Sequence, residues 1–429
     1  MSTAETLDLA TAEAPALVTE IPGPQARARI ERDHRVTSPS LPRAYDFVPR
    51  RGAGSVIEDV DGNLFLDLNA GIAVTSTGHA HPDVVAAIQR QAEELLHYSA
   101  SDFYLPIYSD VCEELDRIAP FAEGARSFLT NSGTEAVEGA IKLARYATGR
   151  QAVIAMIGSF HGRSLGSVSL TASKAKYRAG FGPLLPGVYH TVFGDLHHLE
   201  ILFERLVSPS EVAAIVVEPI QGEGGYVLPP EGWFGSVREI CDRYGIVLVA
   251  DEVQSGMGRT GKMWAMQHFG VEPDVVLAGK GIASGMPLGA IIARDSLMTW
   301  DVGAHGSTYG GNPLSCAAAL ATLALIEHGL MDNARDVGAF LLEGLRAIGE
   351  RYPSITDVRG LGLMIGVEFD RAEKMHAVEQ AAFRKGLLVL GCGDSVIRFC
   401  PALVFERERV DTALRLFDEV VAEVSGATG

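Results

Sequence analysis

This 429-residue sequence predicts an α/β protein, with a doubly wound, largely parallel sheet in a large domain and a smaller α+β domain. Three patterns lead there. From about residue 80 to 320, short apolar runs alternate with stretches of helical periodicity, the rhythm of strand, helix, strand. Before them, GSVIEDVDGNLFLDL (54–68) alternates apolar residues around an Asp-Gly-Asn turn, which signals a hairpin. After them, CAAALATLALIEHGL and VDTALRLFDEVVAEV read as amphipathic helices flanking the short segments GLMIGVEF and GLLVLGCGDSVIRF.

Taken in chain order, residues 1–21 form a flexible leader within a stretch rich in Ala, Pro, Glu and Thr, with order beginning near Pro22. Pro22, Pro39 and Pro42 favour extended backbone before them. Residues 22–79 hold the hairpin and belong to the small domain. The large domain spans 80–318, with strands expected in QAVIAMIG (151–158), VAAIVVE (212–218), GIVLVADE (245–252), DVVLAGK (274–280) and GAIIA (289–293). Residues 319–429 complete the small domain. Ligands of such sheets sit at the carboxyl ends of the strands.

Composition narrows the function. With 36 Lys plus Arg against 54 Asp plus Glu the formal charge is −18, and no basic cluster offers a footprint for nucleic acid. Five scattered cysteines contain no CxxC pair for zinc or redox work, and they suit a reducing cytoplasm. The acidic N-terminus is neither a secretory signal nor an Arg-rich transit peptide, and no run of 18 apolar residues suggests a membrane span. A cytoplasmic location is expected. His79 and His81 lack a third ligand at metal spacing, so no metal is assigned.

Three strand ends carry the chemistry. The chain has only seven lysines, and Lys280 alone ends an apolar run, PDVVLAGKG, whose glycines admit a ligand. Burial lowers an ammonium pKa and favours the neutral amine needed for a Schiff base; a solvated strand-end lysine is the plainer alternative. Asp251 follows GIVLVA at the mouth of a buried strand, where a carboxylate needs a cationic partner such as a protonated ring nitrogen; a helix cap or an ion pair with arginine would also serve. Its apolar run before Asp-Glu is also the second signature of P-loop ATPases, but neither GRTGKM nor AGKGIAS supplies the first. In LTNSGTEAVEGAIKLAR (129–145), a small polar loop opens a helix and offers N–H groups and hydroxyls to an anion, unless Ser132 or Thr134 is only an N-cap.

With these elements in this order, the sequence resembles the class III, or ω-, aminotransferases, which use pyridoxal 5′-phosphate on fold type I. The resemblance runs from about residue 22 to the end. It rests on DVDGNLFLDLNAGIAVTSTGHAHPDVV, NSGTEAVEGAIKLAR, FHGR, VEPIQGEGG, DEVQSGMGRTG, AGKGIASGMPLGA, STYGGNP, VRGLGLMIGVEF and VIRF. GIAV, FHGR and QGEGG resemble 4-aminobutyrate aminotransferases, whereas PGPQARARIERDHRVTSPS, HYSASDFY and SLTASK resemble the archaeal-type branch of ornithine and lysine ω-aminotransferases and racemases.

The resemblance implies roles residue by residue. Lys280 would bond the cofactor and then move the substrate proton. Asp251 would hold the pyridinium, Gln254 the phenolic oxygen, and Val253 and Phe160 would sandwich the ring. Ser132, Gly133 and Thr134 would bind the phosphate, with Thr308 reaching it from a second subunit, so a homodimer with shared active sites is expected, extendable to a tetramer. Glu218 and His161 would complete the surroundings, His161 by shaping the turn after Phe160. Arg163 and Arg398 would take the two carboxylates of glutamate and 2-oxoglutarate, and Glu223 would neutralise Arg398 for donors lacking an α-carboxylate. Ile72 and Asp102 would line the donor pocket. Asp102 would face the second ammonium of ornithine or lysine, unless it caps the helix starting near Leu105. The implied reaction moves the terminal amino group of 4-aminobutyrate, ornithine or lysine to 2-oxoglutarate, giving the semialdehyde and glutamate. A racemase of the same family is the alternative.

Overall fold

The computed structural model describes residues 8–426. The first seven residues of the expected leader lie outside the described residues. The remainder of that leader is packed rather than flexible. Leu9, Ala12 and Ala14 are buried against Val56 and Leu64, Ala16 pairs with Leu64, and the Asn63 side-chain oxygen accepts the N–H groups of Val18 and Thr19. Composition hid this because the partners of the short apolar positions lie on a distant hairpin.

That hairpin forms where the alternation places it. Strands β1 (Pro49–Ala53), β2 (Val56–Asp59) and β3 (Leu64–Asp67) run antiparallel. The Asp59 carboxylate accepts from the N–H groups of Asp61 and Asn63, closing the turn from within, as Asx side chains do. Asp61 in turn caps the helix Pro24–Val36 by accepting from the N–H groups of Gln25 and Ala26.

The large sheet has seven strands: β4 (Ala125–Thr130), β5 (Ala152–Ile157), β6 (Val188–Val192), β7 (Val212–Val217), β8 (Val247–Asp251), β9 (Val275–Ala278) and β10 (Gly289–Arg294). Their order is β4-β10-β9-β8-β7-β5-β6. The sheet is parallel except at β10, which runs antiparallel to both β9 and β4. The link from β9 to β10 is too short to hold a crossover helix, so the chain turns straight back. Strands β4 and β6 are the sheet edges, and their half-exposed residues, ARSFLT and VYHTV, lack the apolar run that marks the inner strands.

The C-terminal part holds a second antiparallel sheet of β11 (Ile355–Leu361), β12 (Met364–Phe369), β14 (Leu390–Cys392) and β15 (Val396–Phe399), ordered β11-β12-β15-β14. Between them, β13 (Leu387–Leu388) pairs in parallel with β3 and joins the N-terminal hairpin to this end of the chain. The helical stretch Pro313–Gly349 is long and apolar enough, by length and composition, to cross a membrane. It is broken at Gly329 (φ 128°), and Cys316, Ala318, Ala319 and Leu323 sit in the main core, so core packing accounts for its apolarity.

Candidate active site

The loops at the carboxyl ends of β5, β7, β8 and β9 gather the polar residues. Asp251, the last residue of β8, is 5% exposed. Its Oδ2 lies 2.7 Å from His161 Nδ1, and its Oδ1 accepts the Val253 N–H at 3.1 Å. His161 is wholly buried, which alone would drive its proton off, yet the hydrogen bond and charge of Asp251, with the charge of Glu218, hold its pKa above the ordinary histidine value. His161 therefore does more than shape the turn after Phe160: it backs Asp251 with a proton. The chain alone could not reveal this pair, since 90 residues separate the two side chains.

Glu218, just beyond β7, accepts the N–H groups of Phe160 and Gly222 at 3.1 and 3.0 Å. Burial pushes its carboxyl up to about 7. Gln254 is oriented by Tyr226, whose hydroxyl donates to Oε1 at 2.8 Å and leaves the amide N–H₂ free to donate. A Cβ at Gly222 would come within 2.4 Å of that nitrogen, so a side chain there would push the Gln254 amide aside. Tyr226 is fully buried, though QGEGGY reads as a loop and carries no signal of it.

Lys280 begins the helical turn Lys280–Ala283 with φ +43°, a left-handed conformation that costs a non-glycine residue about 1–3 kcal/mol. Burial lowers its pKa, against the raising fields of Asp251 and Glu223. No carboxylate lies within 4 Å of its amine among the described residues. The helix Gly133–Thr148 points its start at the same region. Ser132 is its N-cap, and the Gly133 and Thr134 N–H groups, in its first turn, have no helical acceptor. Val253 packs on this start so closely that a Cβ at Gly133 would lie 2.8 Å from Val253 Cγ1. The Thr134 hydroxyl faces elsewhere, bonded to Ser164 and Ser167 at 2.8 and 2.6 Å. What Thr134 offers an anion is its backbone N–H.

On the other side, Arg398 of β15 is 2% exposed. Its Nη1 meets Glu223 Oε1 at 2.5 Å while its buried Nε has no partner. Burial raises the Glu223 pKa, but the charge of Arg398 and the hydrogen bond from it carry the net shift downward, so the pair is ionised. Arg259, buried without a carboxylate, donates to the carbonyls of Leu363 and Pro401 and ties the loop after β8 to the end of β15.

Three expected residues stand apart from this cluster. Ile72 (φ +69°) opens into a cavity of about 610 Å³ that is also lined by Tyr45, Arg51 and His79. Thr308 is exposed. Asp102 is exposed too and accepts the Ser99 hydroxyl at 2.7 Å. It caps nothing: Leu105 is the N-cap of the helix Pro106–Arg117, without a side-chain bond. His79 is bound to Asp67 at 2.7 Å and His81 caps the helix Pro82–Glu94. Among the described residues no three His, Cys, Asp or Glu side chains converge as a ligand set.

The donor set suits pyridoxal phosphate. A buried, histidine-backed carboxylate answers a pyridinium, an unpaired buried amine answers an aldehyde, and free helix N–H groups answer a phosphate. Fold and site together define a pyridoxal-phosphate enzyme. The chain belongs to the class III aminotransferase family, whose pattern it matches over residues 40–421. It is 38% identical, over 97% of its own length and 94% of the relative's, to an alanine/serine racemase of Pyrococcus horikoshii. It is 41% identical, over 88% and 94%, to an acetylornithine aminotransferase of Methanothermobacter thermautotrophicus. The ornithine aminotransferase of Toxoplasma gondii superposes with a TM-score of 0.87 at 31% identity, covering 94% of this chain and 96% of that one.

Proposed function

We propose that this enzyme transfers the terminal amino group of an ω-amino acid, 4-aminobutyrate or an ornithine- or lysine-type donor, to 2-oxoglutarate in the cytoplasm. The observation that carries the reading is the pair that the half-buried Glu223 makes with the buried Arg398. An arginine at this depth, left unpaired, costs several kcal/mol. Glu223 covers it while a donor without an α-carboxylate reacts, and yields when the α-carboxylate of glutamate or 2-oxoglutarate arrives to form the bidentate contact that guanidinium favours. The exposed Arg163 takes the distal carboxylate.

Pyridoxal phosphate, when bound, supplies the electron sink for carbanion chemistry. Asp251, hydrogen-bonded to His161, would hold the protonated ring nitrogen, and the Gln254 amide would donate to the ring oxygen. Val253 and Phe160 flank the ring, Glu218 fixes the Phe160 and Gly222 backbone, and the Lys280 amine moves the substrate proton. Ser132, Gly133 and Thr134 take the phosphate.

Glu223→Ala should slow the ω-amino half-reaction roughly 10- to 100-fold more than the glutamate half-reaction, since only the former leaves Arg398 bare. Single-turnover absorbance of the cofactor in each half-reaction measures this. Equal losses would mean a fixed ion pair.

Donor choice rests on the outward face. Ser101 exchanges hydrogen bonds with Ser307, so Asp102 and Thr308 lie on one exposed surface. In a homodimer with shared sites, both enter the partner's pocket, Thr308 at the phosphate and Asp102 at the second ammonium of ornithine or lysine, with Ile72 on the pocket wall. Asp102→Asn should then lower kcat/KM for ornithine by about 1.5 to 3 kcal/mol and leave 4-aminobutyrate turnover nearly unchanged. Parallel losses for both donors would remove Asp102 from recognition. The racemase reading has the Pyrococcus relative behind it; glutamate formation from 2-oxoglutarate, read beside chiral analysis of each amino acid, separates the two.

A further inference from the structure

The segment that follows the Phe160–Ser164 turn returns over the site and carries a tyrosine to which no role has been given. Tyr177 ends the short helical turn Ala175–Tyr177. The guanidinium carbon of Arg163 lies 4.2 Å from the centre of the Tyr177 ring and 5.7 Å from that of Phe160. The two rings meet edge-on, 5.6 Å apart at 81°. Tyr177 is half-buried, and its phenol is raised by burial and by the charge of Glu223 against the fields of Arg163 and Arg398. It therefore stands among the groups that meet substrate carboxylates.

Arg163 needs such a holder. Its backbone N–H is fixed on Thr134 Oγ1 at 3.3 Å, but its side chain is exposed and makes no ion pair among the described residues. A long guanidinium side chain in water samples many rotamers, and an aromatic face is the one feature here that selects among them.

We infer that Tyr177 is a positioning residue: its ring holds the Arg163 guanidinium ready for the distal carboxylate of the substrate, and so sets the preference for substrates that carry one. The inference rests on the proposed function, in which Arg163 binds that carboxylate, and adds the residue that makes it selective. Tyr177 touches the arginine, not the reacting atoms.

The test uses the holoenzyme and its Tyr177→Leu, Tyr177→Phe, Arg163→Gln and Tyr177→Leu/Arg163→Gln forms. Binding of glutarate, a dicarboxylate of 2-oxoglutarate length, is measured by calorimetry alongside KM and kcat for 2-oxoglutarate and for pyruvate, which lacks the distal carboxylate. Tyr177→Leu should weaken glutarate and raise the 2-oxoglutarate KM by about three- to tenfold, with kcat and the pyruvate KM within about twofold. Tyr177→Phe, which keeps the ring, should restore both. In the Arg163→Gln background the leucine should add nothing, because the ring acts through the arginine. Unchanged glutarate binding in Tyr177→Leu, or an equal further loss in the Arg163→Gln background, overturns the inference while leaving the functional reading intact. A wild-type enzyme that neither binds glutarate nor accepts 2-oxoglutarate overturns both.

Discussion

Lys280→Ala should abolish transamination, lowering turnover by about 10⁴-fold or more, and should remove the borohydride-reducible link between protein and cofactor. The expectation follows from what each lysine is free to do. Lys142 donates to Ala304 and lies against His305, and Lys262 donates to the Gln267 carbonyl. Lys374 and Lys385 pair with carboxylates. Lys174 and Lys176 flank the turn at Ala175. Lys280 is half-buried with no carboxylate in contact among the described residues, and desolvation of its amine lowers its pKa toward the neutral form. The side chain is also aimed by a backbone twist that few residues adopt, φ +43°, so position and protonation are set together. Alanine accepts the same backbone about as well as lysine, so the variant should fold and its melting temperature should move little. Mass spectrometry after borohydride reduction checks the outcome. A covalent adduct that persists in the variant, on any of the other six lysines, would take Lys280 out of the reaction.

The residues legible in the sequence are those where a strand changes character at its end. VLVA before Asp251 and VVLA before Lys280 are buried on every residue, and a charge following such a run stands out. Inner strands of a parallel sheet are covered on both faces, which makes their apolar runs continuous. Edge strands are not so covered, and β4 and β6 lack a continuous apolar run for that reason. The direction of β10 also lay outside what composition records, because GAIIA is as apolar as its parallel neighbours and only the short link from β9 turns it round. Partnerships across distance were silent as well. Nothing near His161 announces Asp251, nothing near Tyr226 announces Gln254, and the apolar residues at 9, 12 and 14 announce their burial only once the hairpin at 56–67 is in place. Thr134 teaches a finer point: its spacing suits an anion loop, but its hydroxyl is drawn into the Ser164–Ser167 cluster and leaves that work to the main chain.

Asp251→Asn should reduce turnover by roughly 10²- to 10³-fold, as the removal of a preorganised charge at a reacting centre does. Asparagine keeps the shape and can still accept from the Val253 N–H and from His161, so the fold should survive. What disappears is the negative charge. Two consequences can be read separately. The ring nitrogen of the cofactor loses its counter-ion, so cofactor affinity and the proton-transfer step both weaken, and titration of the apoenzyme with pyridoxal phosphate and single-turnover rates record each. His161 loses the partner that overrides its burial, so its pKa should fall from above the ordinary histidine value to below it. The variant imidazole should therefore take up its proton only at a lower pH than the parent's, a shift that nitrogen resonance of labelled histidine detects as pH is lowered. Asp251→Glu restores the charge but advances the carboxylate by one methylene, and should recover the His161 proton more fully than the rate. A variant with near-parental turnover and an unchanged His161 titration would leave Asp251 as a cap on the loop after β8, with no part in holding the ring.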